Sequence, residues 1–211
     1  MSDIGTLAEK SLHAALKIWY SQPNDKFEVK VENFVIDIVR DKLLIEIQTG
    51  NFGAMKAKLK RLLPTHQIHI IYPIPQQKWI VRQTKEGRLI KRRKSPKRGK
   101  VIDIFKELVR IAELIPNANL SLEVLLTHQE ELWRDDGKGS WRRKRWSIYD
   151  HYLLSVVEQL TFKSPSDFCA LLPQTLAEPF TNRQLATALT CNLNMAQKMS
   201  YSLRKMGKFA V

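Results

Sequence analysis

Apolar and polar residues alternate through Asn33–Gln48, NFVIDIVRDKLLIEIQ, which predicts two short β-strands. Side chains point to opposite faces in turn along a strand. Phe34, Ile36 and Ile38 therefore share one face of the first strand, and Val35, Asp37 and Val39 the other. In the second, Leu43, Ile45 and Ile47 lie opposite Leu44, Glu46 and Gln48. A turn at Asp41-Lys42 pairs Arg40 with Leu43, and hence Asp37 with Glu46. Opposed residues in an antiparallel pair sit roughly 4.5–5.5 Å apart at Cβ and point to the same side. Two like charges there repel unless a positive group lies between them, and a divalent cation is the obvious candidate.

The flanking pattern adds a helix over about Gly5–Tyr20, with Leu12, Leu16 and Trp19 as its buried stripe. Glu9 continues that stripe, either at a metal site or at its edge, reaching water. Pro23-Asn24-Asp25 makes a turn and Phe27–Val31 a strand. Thr49-Gly50-Asn51 breaks the chain before a helix over about Phe52–Leu63, which Pro64 stops. QIHIIYPI is a further strand. KWIVRQ and RLIKRRK then form a hairpin turning at Glu86-Gly87. VIDIFKELVRIAELI reads as an amphipathic helix and LSLEVLLTHQEELW as a strand entering a second ribbon, which turns at Asp135-Asp136-Gly137 and continues as KGSWRRKRW. Asp150–Phe162 is expected to be a helix.

The first third resembles the PD-(D/E)xK nuclease superfamily, whose core is a helix, an antiparallel strand meander, a second helix and a further strand. That family places an Asp on one strand and a Glu-x-Lys on the next, often with a Glu on the first helix. The corresponding residues are Asp37, Glu46 and Glu9, over roughly Ile4–Pro73. Ile36 stands where a Pro usually precedes the Asp, and Gln48 stands where the Lys belongs. The resemblance implies an α/β (α+β) fold, with a restriction endonuclease-like mixed sheet flanked by helices. It also implies that Asp37, Glu46 and the Ile47 carbonyl hold Mg²⁺ or Mn²⁺. Oxygen donors suit such hard ions. Glu9 would hold a second metal or orient its water. Gln48 offers a hydrogen bond but no charge, so a lysine of the next helix is expected to supply the cation, Lys56 first and Lys58 second.

Charge extends the expectation to polyanions. The 211 residues carry a net +14, with a pI near 9.9. Ten basic residues and one acid lie between Arg82 and Lys100, among them Arg88, Lys91, Arg92, Arg93, Lys94, Lys97 and Arg98. Such a run is either a solvated face or a phosphate-binding surface that the polyanion orders. Trp133, Trp141 and Trp146 are interleaved with Arg142, Arg143, Lys144 and Arg145. These aromatics stack on bases or pack the ribbon against the core.

The last stretch reads as helices. Thr181 and Gln184 form a capping box, a short helix carries Leu185 and Leu189, and a second runs over about Met195–Met206 to Gly207. This pair resembles the helix-turn-helix of winged-helix domains, which implies that Asn194, Gln197, Lys198, Tyr201 and Arg204 face DNA. A protein-contact module of the same shape is the alternative. The expected division is a nuclease-like domain over 1–150 and a helical domain over 151–211.

Cys169 and Cys191 form no zinc spacing or disulfide framework, and no apolar run reaches a membrane span, so a soluble cytoplasmic protein is expected. Walker, dinucleotide and nucleophile-elbow motifs do not occur. The reading is a metal-dependent DNA endonuclease, with a homodimer left open. A non-catalytic DNA-binding protein on the same fold, or an RNA-binding or processing factor, are the alternatives.

Overall fold

The computed structural model describes residues 11–176 and 178–208. Helix α1 (Ser11–Tyr20) is followed by β1 (Lys26–Val31), β2 (Phe34–Arg40), β3 (Leu43–Ile47), α2 (Phe52–Leu62) and β4 (Gln67–Gln83). These are the elements expected of the first third, in the expected order. Next come β5 (Leu89–Lys94), α3 (Phe105–Leu108), β6 (Leu120–Arg134) and β7 (Ser147–Phe162). Helices α4 (Pro165–Cys169), α5 (Asn182–Ala188) and α6 (Leu193–Lys205) follow. The fold is mixed α+β. Its seven-stranded sheet has the order β1-β2-β3-β4-β6-β7, with β5 paired to β4. β1, β2 and β3 form an antiparallel meander. β3 and β4 are parallel, a pairing that needs a crossover, here α2.

The chain forms two compact units interleaved in sequence. One takes residues through Gln22, Pro73–Lys100 and Leu125–Gln159, and the other takes Pro23–Tyr72, Val101–Val124 and Leu160 onward. The expected boundary at residue 150 falls inside β7.

In the second unit, Ile36 and Ile38 of β2, Ile45 and Ile47 of β3, and the α2 stripe Phe52, Met55, Leu59 and Leu62 are buried. Phe168 of α4 stacks on Phe162 at 4.4 Å between ring centres and meets Phe105 edge-on at 6.1 Å. α6 packs on α3, α4 and α5 through Met195, Ala196, Met199 and Leu203. In the first unit, Ile74, Ile80, Val81, Leu125, Leu126 and Leu132 are buried.

The structure departs from the sequence pattern at several elements. Asp150–Phe162 belongs to the 16-residue strand β7, not a helix. Its Ile148, Tyr149, Tyr152, Val156, Val157 and Thr161 favour a pleated strand, and pairing beside β6 realises that preference. Residues 101–115 are a chain of short turns around α3 rather than one helix. The amides of Arg110, Ile111 and Leu114 reach back three residues instead of four, and six β-branched residues depress regular helix formation there. KGSWRRKRW is a loop with a single 3₁₀ turn over Trp141–Arg143, not a strand. QIHIIYPI and KWIVRQ are one continuous strand. On α1, Leu12 and Leu16 are buried as expected, but Trp19 is 42% exposed and Lys17 is buried instead. Glu9 lies outside the described residues.

Candidate functional site

The β2–β3 ladder pairs Arg40 with Leu43, Val39 with Leu44 and Ile38 with Ile45. Its next step would set Asp37 opposite Glu46, and there the backbone ladder ends. The Ile47 N–H donates to Asp37 Oδ2 at 2.7 Å, so a carboxylate takes the place of a strand carbonyl. Gln48 N–H donates to Ile71 O of β4 at 2.8 Å. In a trans peptide the C=O points opposite to the N–H it is bonded through, so the Ile47 carbonyl faces β2. Asp37, Glu46 and the Ile47 carbonyl thus converge on one parting of the sheet.

A lysine also enters that parting. Lys58 Nζ donates to Glu46 Oε1 at 2.6 Å and to Val35 O at 2.7 Å. Glu46 is only 6% exposed, and a buried carboxylate requires such a partner. Lys56, expected first, pairs instead with Glu113. Burial alone would raise the Glu113 carboxyl, but the Lys56 hydrogen bond and charge hold it below the usual range. Gln48 Nε2 donates to Gly50 O, closing the turn after β3. The structure therefore brings Asp37, Glu46, Ile47 and Lys58 together, and turns Gln48 and Lys56 to other work.

The donor set suits a hard cation: two carboxylates and a carbonyl, with no sulfur or imidazole. Among the described residues no group of three or more His, Cys, Asp or Glu side chains could hold a metal. His69 is not part of the donor set. It pairs with Ile45 across the parallel ladder, whereas Glu46 pairs with Ile70, which puts His69 on the opposite face. There its ring bridges Ser121 Oγ at 2.7 Å and Glu123 Oε2 at 3.0 Å.

The first unit carries the basic surfaces. Every residue of β5 is exposed, Lys91, Arg92, Arg93 and Lys94 included, as are Arg88, Lys97 and Arg98. Arg92 and Lys94 lie 5.0 and 5.8 Å from the Trp79 ring centre, and Arg92 Nε donates to Glu130 at 2.6 Å. Of the interleaved tryptophans, Trp133 is buried and donates its indole N–H to Glu131 at 2.6 Å. Burial pushes the Glu131 carboxyl up, but Lys78 and Trp133 together hold it below its ordinary value. Trp141 is 80% exposed, with Arg142, Lys144 and Arg145 exposed beside it and Arg143 half-buried.

At the C-terminal end, Thr181 and Gln184 form the expected capping box. Asn192 caps α6 by accepting from Met195 N–H at 2.9 Å. Gln197, Tyr201 and Arg204 line one side of a pocket of about 870 Å³ facing Glu178–Asn182. Asn194, Gln197 and Lys198 border a smaller one of about 380 Å³ with Val109 and Arg110. The α6 face expected to read DNA is therefore a ridge between two hollows. Among the described residues no helix is long and apolar enough to cross a membrane.

The class that the fold defines is mixed α+β, built on a seven-stranded sheet. The chain belongs to the family described as Domain of unknown function (DUF8091), which matches residues 10–163. The match ends one residue beyond β7, so α4, α5 and α6 lie outside it. A protein of Treponema pallidum (strain Nichols), named "Uncharacterized protein", is 35% identical over 184 residues, covering 87% of this chain and 73% of its own. No solved structure matches.

Proposed function

We propose that the protein is a metal-dependent DNA endonuclease of the PD-(D/E)xK kind, hydrolysing phosphodiester bonds. The observation that carries this reading is the end of the β2–β3 ladder at Asp37 and Glu46, with the Ile47 carbonyl turned toward it. Asp37, Glu46 and Ile47 would hold Mg²⁺ or Mn²⁺, which when bound acidifies a water and offsets charge on the scissile phosphate. Lys58 supplies the cation that the motif lacks at Gln48. Its ammonium is held on Glu46 and would offer preorganised positive charge to a phosphate oxygen. The exposed cations of β5 and of the Trp141 loop hold the nucleic-acid backbone, and Gln197, Lys198 and Arg204 of α6 add a second contact.

One observation favours the non-catalytic alternative: Lys58 already neutralises Glu46, an arrangement that a binding scaffold could keep without metal. Cleavage assays separate the two. The purified protein with Mg²⁺ or Mn²⁺ is expected to nick or cut DNA. Asp37→Ala or Glu46→Ala should abolish cutting and leave DNA binding intact. Cleavage that persists in both variants, or that is absent from the parent on duplex, branched and single-stranded DNA, overturns the nuclease reading. Cutting confined to RNA would turn it toward RNA processing.

A further inference from the structure

The connection between β6 and β7 is fastened from within. The Asp136 carboxylate accepts from Lys138 N–H at 3.0 Å and from Ser147 Oγ at 2.8 Å. Gly139 N–H donates to Arg145 O at 2.8 Å. Ser140 O takes the amides of Arg143 and Arg145, Trp141 O takes that of Lys144, and Arg143 O takes that of Trp146. A Cβ at Gly139 would overlap the Trp146 carbonyl, so the two backbones touch where only glycine fits. Lys144 and Arg145 both adopt left-handed backbone, with φ of 52° and 64°. Non-glycine residues hold that conformation only where the surroundings impose it. At the foot of the loop the Arg82 guanidinium lies 5.5 Å from the Trp133 ring centre and 5.1 Å from that of Trp146.

This scaffold holds one large aromatic side chain in water. Trp141 opens the loop's 3₁₀ turn, with the Arg142 guanidinium 5.5 Å from its ring centre. Lys144 and Arg145 are exposed close by in the chain, and Asp136 is already committed inside the loop. An indole held this far out contributes little to a core. A rigid loop loses little conformational freedom when a ligand meets it.

We propose that Trp141 is a stacking platform for an unpaired nucleobase of DNA, with Arg142, Lys144 and Arg145 holding the adjoining phosphates. Duplex bases are covered by their neighbours, so the platform is filled only where a strand is single: a gap, a frayed end or a branch. The protein then prefers DNA with a single-stranded segment over fully paired duplex. This rests on the proposed binding of nucleic acid and is independent of the metal centre.

The test is fluorescence anisotropy with the full chain at fixed salt. It compares a labelled single strand of about 16 nucleotides, the same sequence as duplex, and the same strand as RNA. The parent should bind the DNA strand more tightly than the duplex. Trp141→Ala should lose roughly tenfold or more of single-strand affinity and little duplex affinity, at an unchanged melting temperature. Trp141→Phe should keep most of the single-strand affinity. The dependence on salt should be the same in the parent and Trp141→Ala, because every phosphate-binding cation is still in place. Single-strand affinity unchanged in Trp141→Ala, or lowered together with that for duplex, overturns the stacking role and leaves nucleic-acid binding standing. Binding of the RNA strand alone overturns the assignment to DNA. A parent that binds none of the three overturns both the stacking role and nucleic-acid binding.

Discussion

At the parting of β2 and β3 a buried carboxylate is held by the Lys58 ammonium, whereas along β5 four exposed cations follow one another, Arg92 paired with Glu130. The first arrangement carries a desolvation cost of several kcal/mol per ion unless geometry and hydrogen bonds repay it. The second is solvated, and its mutual repulsion is screened beyond about 8–10 Å at ordinary salt. Charge changes at the parting should therefore register in folding stability as well as chemistry. Changes along β5 should register in binding alone.

The largest combined effect, on stability and on chemistry together, is expected at Lys58. Lys58→Ala leaves Glu46 buried without its ammonium and should lower unfolding stability by about 3–5 kcal/mol. On the nuclease reading it should also slow cleavage by about 10²–10³. Mn²⁺ should then raise the melting temperature of Lys58→Ala more than that of the parent, because an ion bound only by the folded state stabilises it by mass action. Thermal melts with and without Mn²⁺ check this, and an unchanged stability in Lys58→Ala would remove the distinction between the two surfaces.

A neutral control within the same unit sharpens the contrast. Phe168 is fully buried between Phe162 and Phe105. Phe168→Ala should cost about 3–5 kcal/mol in denaturant unfolding, with no preferential rescue by Mn²⁺. Rescue equal to that of Lys58→Ala would mean that the ion acts elsewhere.

Tyr72 tests buried ionisation beside carboxylates. Burial, then the Glu107 and Asp103 carboxylates, raise its hydroxyl from 10.0 to about 12. Because the folded-state value is the higher one, its contribution to stability is complete below pH 10 and is lost as pH rises toward 12. That loss is on the order of 2 kcal/mol. Comparing Tyr72→Phe with the parent across this window should show the parent losing more.

The smallest stability effect belongs to β5 and its continuation. Neutralising Arg92, Arg93, Lys94, Lys97 and Arg98 should change stability by less than about 0.5 kcal/mol, as exposed charges generally do. It should weaken DNA binding for all sequences alike. The slope of log affinity against log salt should flatten by about 0.9 for each duplex phosphate that the protein no longer neutralises. An unchanged affinity and slope would make this stretch a solvated face only.

The parting itself is legible in the sequence, because strict alternation places Asp37 and Glu46 on facing positions once the turn is set at Asp41-Lys42. The choice of lysine is not. At about 100° per residue, Lys56 and Lys58 lie about 80° on either side of the α2 stripe formed by Phe52, Met55, Leu59 and Leu62. Only the docking of α2 against the sheet decides which of them reaches Glu46. Strand β7 imitates a helix in sequence because Leu153, Val157 and Leu160 fall at helical spacing. The aromatic and β-branched residues among them carry the opposite signal, and neighbouring β6 decides it. Trp19 shows the same limit: its spacing fits the α1 stripe, yet the buried position beside Leu16 belongs to Lys17.

Asp37, Glu46 and the Ile47 carbonyl are proposed to form a divalent-metal site. Crystals soaked in Mn²⁺ and measured for anomalous scattering test it most directly. A peak bonded to both carboxylates and to the Ile47 oxygen, at about 2.0–2.2 Å as small octahedral ions require, is the predicted result. Lys58 Nζ should then be displaced from Glu46 Oε1 or share that carboxylate with the ion. Saturating Mn²⁺ with no peak there, and Lys58 still closed on Glu46, would contradict it.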